Sequence, residues 1–251
     1  MEWRDDGIIL GVRRHGENAA LVTLMTHAHG RHAGLVRGGQ SRRMKGMLQP
    51  GNRVAATWRA RLEDHLGALT LEPVASHAAA LMMDAGRLSA LSSALSLIDA
   101  GLPEREAQGD IFNNLAALMV ALEGEAWGST YARWEVGLLG DLGFGLDLTA
   151  CAATGVTEGL THVSPKTGRA VSGEAAGPYK ERLFPLPAFL MQTRGEAEGE
   201  PDADALVQAL QLTGHFLGRH VLEPMGRTLP DARARMVARL EMTRVSSPPT
   251  P

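Results

Sequence analysis

The sequence predicts an α+β protein in two parts: a small five-stranded barrel over roughly residues 1–75, then an α-helical domain over about 76–245. Three observations carry this. Short apolar runs bounded by turn residues fill the stretch from Gly7 to Glu72. After Pro73 the apolar spacing changes to that of helices. Charge divides in the same way: residues 1–72 hold 11 Lys and Arg against 7 Asp and Glu, net +4, while the remainder carries −7 within a total of −3. The two parts therefore face different partners.

The strands are expected at Ile8–Val12, Ala20–Met25, Ala33–Val36, Arg53–Leu62 and Leu66–Leu71. Five in about 70 residues predict a small closed barrel, and the five-stranded barrel that binds single-stranded nucleic acid is the OB-fold. Strand count alone also allows an SH3-like barrel. Alternation along the fourth run puts Arg53, Ala55, Thr57, Arg59 and Arg61 on one face and Val54, Ala56, Trp58, Ala60 and Leu62 on the other. Its parity assigns Trp58 to the core in preference to a base-stacking platform.

Downstream, Ala78–Met83 and Leu88–Ile98 are rich in Ala and Leu. Asp110 is placed to cap a helix carrying Ile111, Leu115, Leu118, Met119 and Leu122. Ser129 is placed to cap the next, with Tyr131, Trp134, Leu138, Leu139 and Leu142 at helical spacing until Gly143 and Gly145 stop it. An insert at about 149–178 reads as irregular, and Arg194–Asp204 as an acidic loop. Ala205–Leu222 and Asp231–Met242 read as the last helices, and the tail 246–251 is expected to be disordered.

From Arg31 to Arg61 eight cations occur without one Asp or Glu: Arg31, Arg37, Arg42, Arg43, Lys45, Arg53, Arg59 and Arg61. Gly38-Gly39-Gln40-Ser41-Arg42-Arg43-Met44-Lys45 reads as a flexible basic segment able to wrap a phosphate chain. All eight are candidate DNA-binding residues, and phosphate contact of this kind carries little sequence preference.

Other chemistries find little support. Walker-type Gly-Lys-Ser/Thr, Gly-x-Ser-x-Gly and His-Glu-x-x-His patterns do not occur, so the sequence nominates no catalytic residue and no cofactor. His27, His29 and His32 lack nearby thiols or carboxylates for zinc, and Gly140–Gly145 follows a helix, whereas a dinucleotide loop follows a strand. Cys151, alone, reads as a structural thiol in a reducing compartment. The first residues lack signal-peptide order and no run reaches about 18 apolar residues, so a cytoplasmic protein without membrane contact is expected.

With these features in hand, the chain resembles the bacterial RecO family over nearly its whole length, in its alphaproteobacterial branch. The likeness is carried by Gly7-Ile8-Ile9-Leu10, Gly16-Glu17-Asn18, Thr26-His27-Ala28-His29-Gly30, Arg37-Gly38-Gly39 and Leu48-Gln49-Pro50-Gly51. It continues through Arg133-Trp134-Glu135-Val136-Gly137-Leu138-Leu139-Gly140-Asp141-Leu142-Gly143-Phe144, Val163-Ser164-Pro165-Lys166-Thr167-Gly168, Leu186-Pro187-Ala188-Phe189-Leu190 and Thr213-Gly214-His215-Phe216-Leu217. The resemblance implies a non-enzymatic, nucleoid-associated mediator of DNA repair and recombination. Such a protein binds single- and double-stranded DNA, anneals complementary strands, and works with RecR to replace single-strand-binding protein by recombinase on gaps. It also implies a site on the helical domain for the acidic, Phe-terminated tail of single-strand-binding protein. Arg133, with Trp134 and Leu138, is the nominated position, the ion pair of Arg133 with the turn of Glu135 being the plainer reading.

Some members carry a four-cysteine zinc site. Here the corresponding positions read Cys151-Ala152-Ala153-Thr154 and Ser172-Gly173-Glu174-Ala175, so the insert is expected to be metal-free. Two readings from other classes remain: a structural adaptor whose basic barrel meets an acidic protein, and a metal-dependent hydrolase using His27, His29 and His32.

Overall fold

The structure, a computed structural model, describes residues 1–191 and 201–246. Compactness divides the chain into two units, Met1–Glu123 and Gly124–Pro251.

The first unit opens with strands β1 (Glu2–His15), β2 (Ala19–Thr26), β3 (Gly30–Val36), β4 (Asn52–Arg59) and β5 (Ala68–Ser76). They form a closed barrel in the order β1-β2-β3-β5-β4, with β1 pairing β4 as well as β2. The β3–β5 pair, at Leu35 and Ala68, is parallel and the others are antiparallel. This is the OB-fold expected from the strand pattern. At 14 residues β1 far exceeds the expected Ile8–Val12. Its polar ends are held by ladder bonds and not by burial: Glu2–Ile8 run along β4, Gly7–His15 along β2, and a register shift falls between Ile9 and Gly11.

Val54, Ala56 and Trp58 point into the core and are almost inaccessible, as alternation requires. The alternation ends with β4 at Arg59, so Arg61 and Leu62 leave the register and Leu62 is exposed, contrary to expectation. The segment read as flexible is also partly ordered: Arg42–Met47 forms a short helix, α1, whose N-cap Ser41 accepts a bond from the Met44 N–H at 3.4 Å. Met44, Met47 and the following Leu48 pack against the barrel core.

Helices α2 (His77–Leu81), α3 (Ala85–Gly101) and α4 (Gly109–Ala121) complete this unit. Asp84 caps α3 by accepting from the Gly86 and Arg87 amides at 2.8 and 3.1 Å. Asp110 does not cap α4; it lies inside the first turn, where negative charge is favoured by the helix dipole. The α3–α4 linker crosses one end of the barrel. Gly30 has φ +62, and a Cβ there would lie 1.8 Å from the Glu106 carbonyl oxygen. Arg105, also left-handed at φ 65, donates from its guanidinium to the carbonyls of Glu63, Asp64 and His65 and so fastens the β4–β5 loop.

Beside this clamp Trp3 stacks on His29 (4.3 Å between centroids) and on Trp58 (5.8 Å), and His32 stands edge-on to both tryptophans. Neither ring nitrogen of His32 has a hydrogen-bond partner. Burial, with the nearby charges of Arg105 and His29, lowers the His32 pKa to about 4.

The second unit contains α5 (Trp127–Asp141), strands β6 (Leu160–Val163), β7 (Ala170–Ser172) and β8 (Phe184–Pro185), the single turn α6 (Gly173–Ala176), and helices α7 (Ala203–Phe216) and α8 (Asp231–Ser246). The insert expected to be irregular contains β6 and β7, which with β8 beyond it form a sheet in the order β7-β6-β8, its strands too short to give a periodic signal. Helix α5 begins two residues before Ser129, whose hydroxyl donates to the Ala126 carbonyl instead of capping. A π segment, Leu217–Leu222, continues α7. Asp202, in the segment read as an acidic loop, caps α7 through the Ala205 amide at 2.7 Å. Residues 192–200 of that region, and 247–251 of the expected disordered tail, lie outside the described residues.

This unit is fastened by Glu135 of α5, fully buried, and Arg233 of α8. Arg233 Nε and Nη2 donate to the two carboxylate oxygens at 2.7 and 2.8 Å, and Nη2 also reaches the Leu210 carbonyl at 2.6 Å. Tyr131 and Thr213 hydroxyls donate to the same carboxylate. Burial opposes the charge on Arg233, but Glu135 outweighs it and raises the guanidinium pKa above its ordinary value.

Two consequences are measurable. Arg233→Met leaves a buried carboxylate unpaired and is expected to cost about 3–5 kcal/mol in urea unfolding, whereas Glu135→Leu with Arg233→Met recovers most of it; equal losses would contradict the pairing. The second concerns acid. Because the folded barrel resists protonating His32, the unfolded chain binds the extra proton as pH falls below the ordinary 6.5. Stability is full above that value and declines toward pH 4 by up to about 3 kcal/mol. His32→Phe is expected to flatten this part of the urea-midpoint profile, and an unchanged profile would refute the assignment.

Candidate nucleic-acid interface

Of the eight predicted cations, three are paired within the first unit, Arg61 stands by itself in a loop, and four gather at one end of the barrel. Arg31, on β3, is only 11% exposed in its side chain: Nε donates to the Leu102 carbonyl at 3.0 Å, and the guanidinium pairs with Asp99 and Glu104, each at 3.2 Å. Arg53 takes Asp6 through Nε at 2.9 and 3.0 Å and lies 5.9 Å over the Phe112 ring. Arg59 pairs with Glu2 at 2.7 Å on the barrel surface. The hydrogen bonds to these carboxylates raise the pKa of Arg53 and Arg59, and Glu2 is lowered in return. The cationic face expected of β4 is thus neutralised from within, because the antiparallel register lays the acidic start of β1 beside it. Arg61 is exposed in the β4–β5 loop.

Arg37, Arg42, Arg43 and Lys45 are different. All four are exposed, and among the described residues none has an ion-pair partner. Arg37 follows β3 and the other three lie on α1, at the end of the barrel where the β1–β2 hairpin also turns. That hairpin is tied to the same place: Gln40 donates from its amide to the Asn18 carbonyl at 3.4 Å and from its side chain to the Ala19 carbonyl at 3.2 Å. The register Arg14–Ala20–Val36 then sets Arg13 and Arg14, both exposed, two strands from Arg37. These two arginines escaped the sequence reading because they lie outside the continuous basic stretch; strand pairing brings them in. Glu17, at the hairpin turn, is the one carboxylate in the sequence between Gly7 and Leu62.

The histidines do not converge. His27 meets the Phe112 ring edge-on, His29 bonds Asp5 at 3.0 Å and stacks on Trp3, and His32 is buried between tryptophans. Burial alone would raise the Asp5 pKa, but the His29 ring and the amides of Ala28 and Asp6 lower it. Among the described residues no group of three His, Cys, Asp or Glu is placed to hold a metal.

The positions that correspond to the zinc site of some family members are Cys151, Thr154, Ser172 and Ala175. The Ser172 amide donates to Cys151 Sγ at 3.3 Å, and Ser172 Oγ caps α6 through the Ala175 amide. The Ser172 amide, with the Thr154 hydroxyl and Ser172 side chain, lowers the thiol pKa to about 6. Hydrogen bonds to one sulfur join these two turns, and a single thiolate with two hydroxyls does not fit a structural zinc.

On the second unit, Arg133 directs Nε and Nη2 to the Phe189 carbonyl at 3.1 and 2.8 Å and lies 5.7 Å over that ring. It does not pair with Glu135, which is taken by Arg233. Trp134 and Leu138 are buried, so they lie beneath the surface rather than lining an open slot.

Residues 1–77 match the family profile described as "Recombination protein O N terminal", and residues 82–228 match "Recombination protein O C terminal". "DNA repair protein RecO" of Rhodospirillum centenum is 53% identical, covering 100% of this chain and 99% of its own length. The proteins of the same name from Rhodospirillum rubrum and Cereibacter sphaeroides are 48% and 50% identical, covering 96% and 94% of this chain and 96% and 97% of their own. With both profiles matched in order and full-length relatives at about half identity, the chain belongs to the RecO family.

Proposed function

We propose that this chain is a DNA repair and recombination mediator that binds single- and double-stranded DNA through the α1 end of its barrel. It anneals complementary strands there and acts with RecR to place recombinase on gaps coated by single-strand-binding protein. The observation that carries the DNA-binding reading is the group Arg37, Arg42, Arg43 and Lys45, exposed and without carboxylate partners among the described residues, beside Arg13 and Arg14. Cations that the fold does not use for itself remain available for phosphate, whereas Arg31 and Arg53 serve the barrel. Annealing follows when two polyanions are neutralised on one surface and base pairing supplies the specificity. It calls for no covalent catalyst. No helix among the described residues is long and apolar enough to cross a membrane, and the action proposed is cytoplasmic, at the nucleoid.

With about five phosphates engaged, single-strand affinity is expected to fall with log salt at a slope near −3.5. Replacing Arg42, Arg43 and Lys45 by Glu is expected to weaken binding strongly, to make the slope shallower by about 2, and to leave the unfolding midpoint unchanged. Arg31→Ala is expected to do the reverse, lowering stability more than affinity. Unchanged affinity of the triple variant at fixed salt would overturn the interface, and retention of an acidic protein partner under excess single-stranded DNA would favour an adaptor.

For the acidic tail of single-strand-binding protein, Arg133, which lies over the Phe189 ring, is the nominated contact, while Trp134 and Leu138, nominated with it, are buried. Titration of a labelled tail peptide is expected to show weaker binding to Arg133→Ala, and equal affinity would remove the nomination.

A further inference from the structure

The second unit contains a column of rings with an open end. His220 stacks on Phe216 (5.8 Å, 11° between planes), and Phe144 stacks on His220 (5.6 Å, 21°). Phe216 is buried at the base, while Phe144 is 41% exposed at the tip. The local backbone is specialised for this arrangement. Gly143, at φ +84, turns the chain at the end of α5, and the Phe144 amide donates to the Leu139 carbonyl at 2.7 Å. His220 sits in the π segment, a widened turn that is rare and frequently found at functional sites.

A cavity of about 150 Å³ is lined by Phe144, His220 and Phe216 and by the turn Lys166-Thr167-Gly168. Lys166 is exposed, and among the described residues no carboxylate contributes to the lining. The volume lies below the range of about 300–1,000 Å³ that encloses a whole small ligand, so it takes one ring and not a folded segment. A partly exposed ring at the end of a parallel stack, beside an ammonium that has no ion-pair partner among the described residues, matches one repeating unit of a single strand: a planar base and its phosphate.

We propose that Phe144 is a stacking step for an unpaired base, with Lys166 facing the adjacent phosphate, so that the second unit makes its own sequence-tolerant contact with single-stranded nucleic acid. The inference rests on the DNA-binding reading above, but on different residues and a different interaction. Stacking on the ring supplies affinity for bases, where the α1 cations supply affinity for phosphates.

The test uses the full chain and two fluorescent oligonucleotides of equal length, one of thymidines with a central 2-aminopurine, the other abasic at all positions but the label. Phe144→Ala is expected to weaken the first about fivefold or more, to abolish the change in 2-aminopurine emission on binding, and to leave the abasic strand unaffected. Phe144→Tyr, which keeps the ring, is expected to bind as the parent does. The triple α1 variant is expected to lose affinity for both strands. If the parent binds neither strand, the DNA-binding reading itself fails. If the parent binds and the triple variant does not, while Phe144→Ala binds both strands normally, only the stacking step fails. Equal weakening on both strands by Phe144→Ala, or weakening confined to an acidic Phe-terminated peptide, also overturns it, the latter by marking a peptide site.

Discussion

Strand β1 pairs with β4 along its first half and with β2 along its second, and this double membership sets the electrostatics of the barrel as well as its closure. Its acidic start, Glu2, Asp5 and Asp6, meets Arg59, His29 and Arg53. Its basic end, Arg13 and Arg14, lies where Arg37 and the three cations of α1 add four more. Charge is thereby consumed at one end of the strand and left over at the other.

The alternating face of β4 was legible because burial follows a period of two, and Val54, Ala56 and Trp58 obey it. The stripe of α5 was legible for the same reason at helical spacing: Tyr131, Trp134, Leu138 and Leu139 are all buried. What sequence proximity could not reveal is where each cation finds its partner. Arg31 stands among basic neighbours, yet its carboxylates come from Asp99 and Glu104, about seventy positions later. Arg53 and Arg59 are neutralised by residues from the first strand. A local charge run therefore overstated the interface on β4 and omitted Arg13 and Arg14, since ion pairs are set by register and not by spacing. Helix starts failed for a related reason: Ser129 and Asp110 are suitable caps by type, but packing begins each helix before them.

The second unit uses its charges inward. Glu135 and Arg233 satisfy each other with Tyr131, Thr213 and the Leu210 carbonyl, tying α5, α7 and α8 at one buried point. Desolvating such a pair adds little net stability, but it penalises any arrangement of the helices that separates the partners. The ring column on Phe216 then stands on a framework whose register is fixed, which a stacking surface requires.

Cys151 closes the account of the insert. Cys151 is 1% exposed, and its sulfur accepts from the Ser172 amide. The thiol is therefore sealed from reagents, and alkylation proceeds only when these turns part. The rate at which an electrophile modifies the intact protein thus becomes a clock for local opening of the small sheet, supplied by the chain without any label.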